Sequence, residues 1–241
     1  MVNYKSMSWY ELLAIPPPGW GGYLLDGLLV SLQVASLGYL FGLIIGMFAA
    51  NAKRRGNVLV ADLVTIYTTV IRAVPELVLI LLVYFALPDL INQLLAVFGV
   101  EKIEINKFSA GVLVITIVQG AYATEVIRGA MNAIPTGHIE AAESFGMHPF
   151  ITFYRITIPE MLPNALPGLS NLWLIATKDT ALLAVVGFTE LTLAARQAAG
   201  ATKSYFLFLF AAGVLYLIVT LLSNVLFNYL EKRLNRGVKY A

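Results

Sequence analysis

The chain has 241 residues, of which 59% are hydrophobic and only 12% are charged, and its mean hydropathy of +0.79 lies far above that of an average soluble domain. This composition excludes a water-soluble domain and predicts an integral membrane protein. A formal net charge of +2 gives no support for a nucleic acid partner. The absence of cysteine excludes thiolate metal sites and cysteine nucleophiles, and two histidines alone cannot form a metal site, so no cofactor is expected.

Five apolar segments are long enough to cross a membrane as helices, because the ~30 Å hydrocarbon core requires about 20 residues. Residues 1–20 lack the short apolar core and cleavage site of a signal peptide, so we expect none. The sequence therefore predicts an all-α integral membrane fold with five transmembrane helices in a single domain over residues 1–241. The approximate spans are 22–50, 58–87, 108–134, 163–189 and 204–230.

The second segment is long for one crossing and contains Pro75, so we expect it to be tilted, kinked or broken near that residue. After it, residues 88–107 carry an apolar stripe that suggests a helix lying along the membrane surface. A sixth crossing is not expected there, because Asp89, Asn92 and Gln93 interrupt the apolar run.

The orientation follows from the lysine and arginine residues, whose excess marks cytoplasmic loops. Nine of them fall on the side that holds residues 53–55 and the C-terminal end, and five fall on the other side, while Arg72 and Lys178 lie within the spans. We therefore expect the N-terminus outside and the C-terminus in the cytoplasm. Residues 135–162 then form the largest cytoplasmic loop. No convincing repeat relates the two halves of the chain.

This loop contains a spaced motif: Glu140, Ala141 and Ala142, then Gly146 after three residues, then a stretch from Ile156 to Pro159 after nine more. The motif resembles the EAA signature of permease subunits of binding-protein-dependent ABC importers, with Ile158 where leucine is usual.

Other stretches are similar to the polar amino acid branch of that family, and the resemblance extends from about residue 65 to the C-terminus. They are residues 72–78, 121–125, 128–130, 135–140 and 178–182. The nearest likeness is to permeases for histidine, lysine, arginine, ornithine and opines.

The resemblance implies a coupling helix that docks on an ATPase subunit, with contributions from Glu140, Ala141, Ala142, Gly146, Ile156 and Pro159. The residues fit this role: Pro135 can start a short helix, the alanines permit close approach of another chain, and Gly146 permits a turn before a second short helix near residues 148–154. The alternative is an ordinary amphipathic cytoplasmic loop in which Gly146 only ends a helix.

The resemblance further implies a subunit of the cell inner membrane that forms the translocation path and is coupled to a separate ATPase. The expected partners are ATPase subunits, a second permease subunit (identical or homologous), an extracytoplasmic solute-binding protein and membrane lipid, but no nucleic acid. The chain has no G-x-x-x-x-G-K-[ST] loop and no visible hydrolase constellation, so we expect it not to be an enzyme itself.

Ionisable and polar residues within spans are candidates for a solute path, because burying them in a bilayer is costly. The candidates are Asp179, Thr180, Asn171, Tyr122, Gln119 and Glu125. Arg72 with Glu76, and Glu125 with Arg128, have spacings that favour ion pairs within one helix. Asp179 has no such partner, so it either faces a hydrated cavity or pairs with a basic group on a neighbouring helix. Gln119, Tyr122 and Thr124 can equally be interhelical hydrogen-bonding residues.

Within the resembling branch, permeases for basic amino acids can carry an acidic residue directly after the position of Asn171, where this chain has Leu172. The carboxylate that would face a cationic side chain is therefore missing, and the expected solute stays broad. It is a polar amino acid or derivative, with basic amino acids and opines ahead of the rest because of the resemblance. The alternatives are a secondary active amino-acid transporter, which would need similar halves and its own coupling-ion site, and a membrane scaffold protein.

Overall fold

The fold was obtained as a computed structural model, which describes residues 4–102 and 106–235. Within these ranges the chain is helical and contains no strand. The α-helices are α1 (Trp9–Leu12), α2 (Gly21–Arg55), α3 (Val58–Ala73), α4 (Glu76–Val97), α5 (Lys107–Asn132), α6 (Thr136–Ser144), α7 (Pro149–Thr152), α8 (Ile158–Asp179), α9 (Leu191–Thr202) and α10 (Tyr205–Leu234). A π-helical turn (Phe153–Thr157) joins α7 to α8, and a 3-10 helix (Thr180–Val186) extends α8.

Five helical segments of the described residues are long and apolar enough to cross a membrane, which confirms the predicted fold class. They are Gly21–Arg54, Glu76–Val97, Lys107–Asn132, Pro149–Val186 and Tyr205–Leu234. The fourth begins earlier than residue 163, because Pro163 and Pro167 lie inside the continuous helix α8. Neighbouring helices permit such prolines in a membrane bundle by packing around the freed backbone groups.

The second predicted segment is two helices. Val74 and Pro75 are extended, with ψ of 138° and 134°, so α3 ends at Ala73 and α4 begins at Glu76. The break lies at the predicted proline, where the residue preceding a proline is biased away from helical geometry. The predicted end of this segment was wrong, and so was the separate surface helix: α4 continues through Pro88 as far as Val97. Residues 103–105 of that predicted surface helix lie outside the described residues.

The centre of the bundle is α5, which packs along α2 through three glycines spaced four residues apart. A Cβ atom added to Gly38 would lie 2.6 Å from Ile115, one on Gly42 would lie 2.9 Å from Gln119, and one on Gly46 would lie 2.6 Å from Ala123. Only glycine permits this approach, as in other membrane helix pairs with small residues at this spacing.

The same contacts fix the relative direction of the helices. Positions on α2 and α5 advance together along the contact, so the two helices are parallel. One crossing must therefore lie between them, and α3 and α4 supply it jointly. Tyr39 of α2 donates a hydrogen bond to the carbonyl of Leu169, and Gly168 packs on Val126, so α8 runs antiparallel to α5. Trp173 of α8 donates to Ser223 of α10, while Tyr216 of α10 lies beside Thr180; α10 therefore runs antiparallel to α8.

The helix α9 packs at the end of the bundle where α2 and α10 begin. Its alanine-rich face is buried with Leu24 of α2 and Phe208 of α10 in one apolar cluster. A Cβ atom added to Gly27 would lie 3.0 Å from the Cα atom of Leu191, so the first turn of α9 packs directly on the backbone of α2. The opposite end of the bundle carries α6 and α7.

Candidate functional site

The predicted coupling motif forms a helical loop at the end of the bundle opposite α9. Pro135 precedes α6 as its N-cap. Gly146 has a φ of +71°, in the left-handed region that side chains with a Cβ atom rarely adopt. The chain reverses at this glycine, and His148 then caps α7, where its Nδ1 atom accepts a hydrogen bond of 3.3 Å from the amide of Phe150.

The motif residues divide between the exposed surface of this loop and its base. Glu140, Ala141 and Gly146 are exposed on the loop. Ala142, in contrast, is buried against the chain itself, so it lets α6 lie close to the rest of the protein. Ile156 is half-buried in the π-helical turn, and Pro159 is exposed in the first turn of α8. The last two residues therefore lie where the loop joins the membrane helix.

Three exposed aromatic residues stand beside the motif and were not identified from the sequence. Phe145 directly precedes Gly146 and is 88% exposed, while Phe150 and Tyr154 are exposed on α7 and the π-helical turn. Phe150 and Tyr154 are four positions apart, which places them on one helical face. Large apolar side chains grouped in an aqueous loop are typical of a protein interaction surface. The four-residue spacing of Phe150 and Tyr154 is the sequence signal that could have identified this surface.

A polar contact ties the loop to the membrane helix that follows it. The Nδ1 atom of His138 on α6 lies 2.7 Å from Oε2 of Glu160 in the first turn of α8. The loop is therefore joined to α8 through a side-chain contact as well as through the backbone. The same helix, α8, ends at Asp179, which belongs to the polar cluster described next.

Gln119 and Asp179 form the core of a polar cluster inside the bundle. Gln119 of α5 is 1% exposed and Asp179 at the end of α8 is 7% exposed. No hydrogen bond of ordinary geometry reaches either amide atom of Gln119 or Oδ2 of Asp179 within the described residues, although the side chains of Gln119 and Glu76 lie close enough to act on the Asp179 carboxylate. Buried polar atoms nearly always have partners in folded proteins, so orphaned atoms require an explanation such as a ligand or water.

Two further charged residues belong to this cluster: Arg72 in the last turn of α3 and Glu76 in the first turn of α4. The carboxylate of Glu76, in the first turn of α4, acts electrostatically on Asp179 and on the hydroxyl of Tyr122. The guanidinium carbon of Arg72 lies 6.0 Å from the ring centroid of Tyr122. The predicted ion pair between Arg72 and Glu76 is not among those of the described residues, because the helix breaks between them.

The alternative in which Asp179 pairs with a cation on a neighbouring helix finds no support. None of the ion pairs within residues 4–102 and 106–235 includes Asp179. The nearest charges that act on it are the carboxylate of Glu76 and the ammonium of its chain neighbour Lys178, which points outward. A half-buried carboxylate and a buried one are therefore neighbours in this cluster, and like charges at such a place repel each other.

Thr180, Asn171 and Glu125 occupy different positions from this cluster. The hydroxyl of Thr180 is fully buried and donates to the carbonyl of Thr177 at 2.8 Å, and Asn171 is exposed on the outer face of α8. Glu125 accepts from Lys53 at 2.8 Å and from Arg128 at 2.8 Å, which confirms the predicted pair with Arg128.

The contacts of Glu125 indicate a structural role. Its carboxylate also accepts from the hydroxyl of Thr68 at 3.3 Å, so one side chain joins α2, α3 and α5. It lies about 9 Å along α5 from Gln119, given six residues of ~1.5 Å rise. The carboxylate is thus fully engaged and separate from the orphaned atoms of the cluster.

Comparison with known proteins gave consistent matches across the chain. Residues 42–236 match the family model described as the inner membrane component of binding-protein-dependent transport systems. The chain is 44% identical to the nopaline transport system permease protein NocQ of Agrobacterium fabrum, over 92% of this chain and 94% of that protein. It is 40% identical to the histidine/lysine/arginine/ornithine transport system permease protein HisQ of Escherichia coli, over 92% of this chain and 98% of that protein.

Two solved structures of ABC transporters also match this chain. An amino acid ABC transporter determined with histidines contains a chain that is 30% identical to this one, with a TM-score of 0.74 over 97% of this chain and 99% of that chain. The methionine transporter MetNI in an inward-facing conformation matches with a TM-score of 0.68 at 19% identity, which supports the fold.

Proposed function

Because the chain belongs to the family of inner membrane components of binding-protein-dependent transport systems, we propose that it conducts a polar amino acid or opine through the polar cluster of Gln119, Tyr122, Asp179, Glu76 and Arg72. The protein is a multi-pass permease subunit of the inner membrane. The observation that carries the solute site is the pair of buried side chains, Gln119 and Asp179, whose polar atoms lack hydrogen-bond partners within the described part of the chain.

The chemistry of this cluster fits a zwitterion with an additional cationic group. The carboxylates of Asp179 and Glu76 suit ammonium or guanidinium groups, and the guanidinium of Arg72 suits a carboxylate in a two-pronged contact. The amide of Gln119 can donate to one and accept from the other. Relatives named for nopaline and for histidine, lysine, arginine and ornithine make basic amino acids and opines the first solutes to test. At one position this chain differs from permeases for basic amino acids, because Leu172 stands where those permeases can carry an acidic residue.

The coupling loop supplies the dock for a separate ATPase subunit in this proposal. Glu140 offers a carboxylate to basic residues of the partner, and Ala141 and Gly146 leave room for the partner backbone. The exposed aromatic side chains of Phe145, Phe150 and Tyr154 offer apolar surface that the partner can bury. ATP is hydrolysed by that partner and not by this chain. A second permease subunit, identical or homologous, and an extracytoplasmic solute-binding protein complete the importer.

The proposed orientation places the loop with α6 and α7 in the cytoplasm. The lysine and arginine excess lies at this end of the bundle, beside the last turn of α2 and the last turns of α5 and α10. The N-terminal residues and α9 then face outward, where a solute-binding protein can reach them.

Stimulation of ATPase activity tests the function. The chain is purified with the ATPase that it retains, in nanodiscs, and ATP hydrolysis is measured with the cognate binding protein and a panel of arginine, histidine, octopine, nopaline and leucine. We expect stimulation by one or more of the first four compounds and none by leucine. Failure to retain an ATPase, or equal stimulation by leucine, contradicts the proposal.

A further inference from the structure

Glu190 is a fully buried carboxylate outside the polar cluster, and it is 0% exposed. It forms the N-cap of α9, where its Oε1 atom accepts a hydrogen bond of 2.9 Å from the amide of Leu193. Its Oε2 atom accepts from the hydroxyl of Tyr216 on α10 at 2.8 Å and from the hydroxyl of Ser31 on α2 at 3.2 Å. One carboxylate therefore joins three helices at the end of the bundle where α9 packs.

No basic residue takes part in this arrangement. Among the described residues, no ion pair includes Glu190, so neutral donors and the N-terminus of α9 surround the carboxylate. The hydroxyl of Ser31 also accepts from the amide of Leu191 at 3.2 Å, which completes the first turn of α9. Burying a carboxylate without a cation costs free energy. A glutamate that capped α9 at the protein surface would not carry this cost.

A short segment connects Glu190 to the solute cluster. From Asp179 the chain continues as the 3-10 helix Thr180–Val186, turns at Gly187 with a φ of +73°, and reaches Glu190. The hydrogen bonds of a 3-10 helix have poorer geometry than those of an α-helix, so contacts with neighbouring helices contribute more to holding such a segment. Asp179 is the last residue of α8 and directly precedes this segment, so the position of Thr180 bears on the helix end that carries the carboxylate.

Tyr216 joins the two ends of this segment. Its hydroxyl donates to Glu190 and lies 3.3 Å from the hydroxyl of Thr192. The antiparallel contact of Trp173 with Ser223 also places Tyr216 beside Thr180, seven residues further along each helix. Thr180 is the first residue of the 3-10 helix, and Glu190 follows its end. Tyr216 therefore lies beside the residue that starts the segment and donates to a carboxylate four residues beyond its end.

We propose that Glu190, acting through Tyr216, is a positioning residue for transport: it holds the 3-10 segment so that Asp179 is presented to the solute. This inference rests on the proposed function of the polar cluster. Glu190 touches neither the solute nor Asp179, and it acts only by fixing the segment. The alternative role for Glu190 is to cap α9 and stabilise the bundle without any effect on the solute site.

Tyr216→Phe separates these two roles. It removes the hydroxyl that joins Glu190 to Thr180, but it leaves the contacts of Glu190 with Leu193 and Ser31 intact. Glu190→Gln changes the acceptor itself. Tyr229→Phe, an exposed position on the same helix, is the matched control. Uptake is measured in proteoliposomes with the ATPase and the binding protein, using whichever of arginine, histidine, octopine or nopaline the unmodified protein transports best.

A positioning role predicts that Tyr216→Phe and Glu190→Gln each raise the KM for uptake by about tenfold, with unchanged basal ATPase activity and unchanged yield of complex. The double variant should show no further increase, because both changes release the same segment. Tyr229→Phe should behave like the unmodified protein.

An unchanged KM in Tyr216→Phe overturns the inference, and so does a fall in complex yield with an unchanged KM. If Glu190→Gln does not assemble, Tyr216→Phe alone decides. A failure of the proposed function is distinguishable, since the unmodified protein would then show no ATP-dependent uptake of any of the four compounds.

Discussion

Asp179 is the residue on which the proposed solute site depends most. A carboxylate buried in a membrane bundle persists when it is hydrated, protonated, paired or met by a ligand. Its closest carboxylate neighbour, Glu76, repels it, and none of the ion pairs in the described ranges contains it. In the proposed function, the ammonium or guanidinium group of the solute supplies the counter-charge.

Asp179→Asn tests this assignment, because it keeps the shape of the side chain and removes its charge. We expect normal assembly and basal ATPase activity, with uptake of the basic solute reduced by at least about tenfold, equivalent to the ~1.4 kcal/mol or more that a charge-assisted hydrogen bond contributes. Uptake and complex yield are measured together. Asp89→Asn on α4 is the control, and normal uptake in Asp179→Asn refutes the role.

Glu125 provides the contrasting case of a membrane-zone carboxylate whose partners are complete. Glu125→Gln removes the ion pairs with Lys53 and Arg128. Since the group is only partly exposed, we expect a loss of roughly 1–3 kcal/mol in stability, measured as a lower melting temperature in detergent. The KM for uptake should stay unchanged. A raised KM with normal stability would instead return Glu125 to the solute path.

Among the single residues of the cluster, Asp179, Gln119 and Tyr122 could be identified from the sequence because a polar residue stands out in an apolar span. Their four-residue spacing favoured a pair of Arg72 with Glu76, although a kink or break was expected at Pro75 between them. The two extended residues between α3 and α4 turn both side chains toward Tyr122 instead. Glu190 was missed because a glutamate at a helix start is normally an exposed cap. Its burial depends on α2 and α10, which are distant in sequence.

Gly146 shows how one backbone conformation shapes an element. Its φ of +71° and the open space around it mean that conformation, not crowding, requires glycine. A β-branched residue there costs about 1–2 kcal/mol locally and favours a different turn, which would displace Phe145 and α7 relative to α6.

Gly146→Ile should therefore release the ATPase partner or leave its hydrolysis insensitive to solute, while membrane insertion stays normal. Retention on the tagged permease and solute-stimulated ATPase activity are the measurements. Gly99→Ile is a close control, because Gly99 has a φ of +69° and open surroundings but lies on the opposite side of the bundle. Equal effects of the two changes would count against a docking role for the loop.

Among the elements, the apolar runs predicted the five crossings, and Pro75 predicted the break. The surface helix was predicted wrongly because Pro88 was taken as a boundary, whereas Leu87 packs with Val83 in the core and keeps the helix continuous. The aromatic surface of the loop was not predicted either, since exposure depends on how α6 and α7 fold back on one another.

At the scale of the whole molecule, the glycine contacts make α2 and α5 parallel, so the C-terminal ends of these two helices lie on the same side of the membrane. Because the chain contains no cysteine, single cysteines report this arrangement without background. Cysteines at Asn57 and Thr136 should be labelled only from the cytoplasmic side, and one at Lys102 only from outside. Labelling of the Asn57 and Lys102 positions from the same side contradicts the five-crossing topology.

The central claim is that this chain forms a solute path driven by a separate ATPase. Its most direct test is uptake into proteoliposomes that contain the chain, its retained ATPase and the binding protein, with ATP inside or outside and with or without a proton or sodium gradient. We predict uptake of arginine, histidine, octopine or nopaline that requires ATP on the side of the coupling loop and is lost in Asp179→Asn. Uptake by the chain alone, driven by an ion gradient without ATP, would contradict the account.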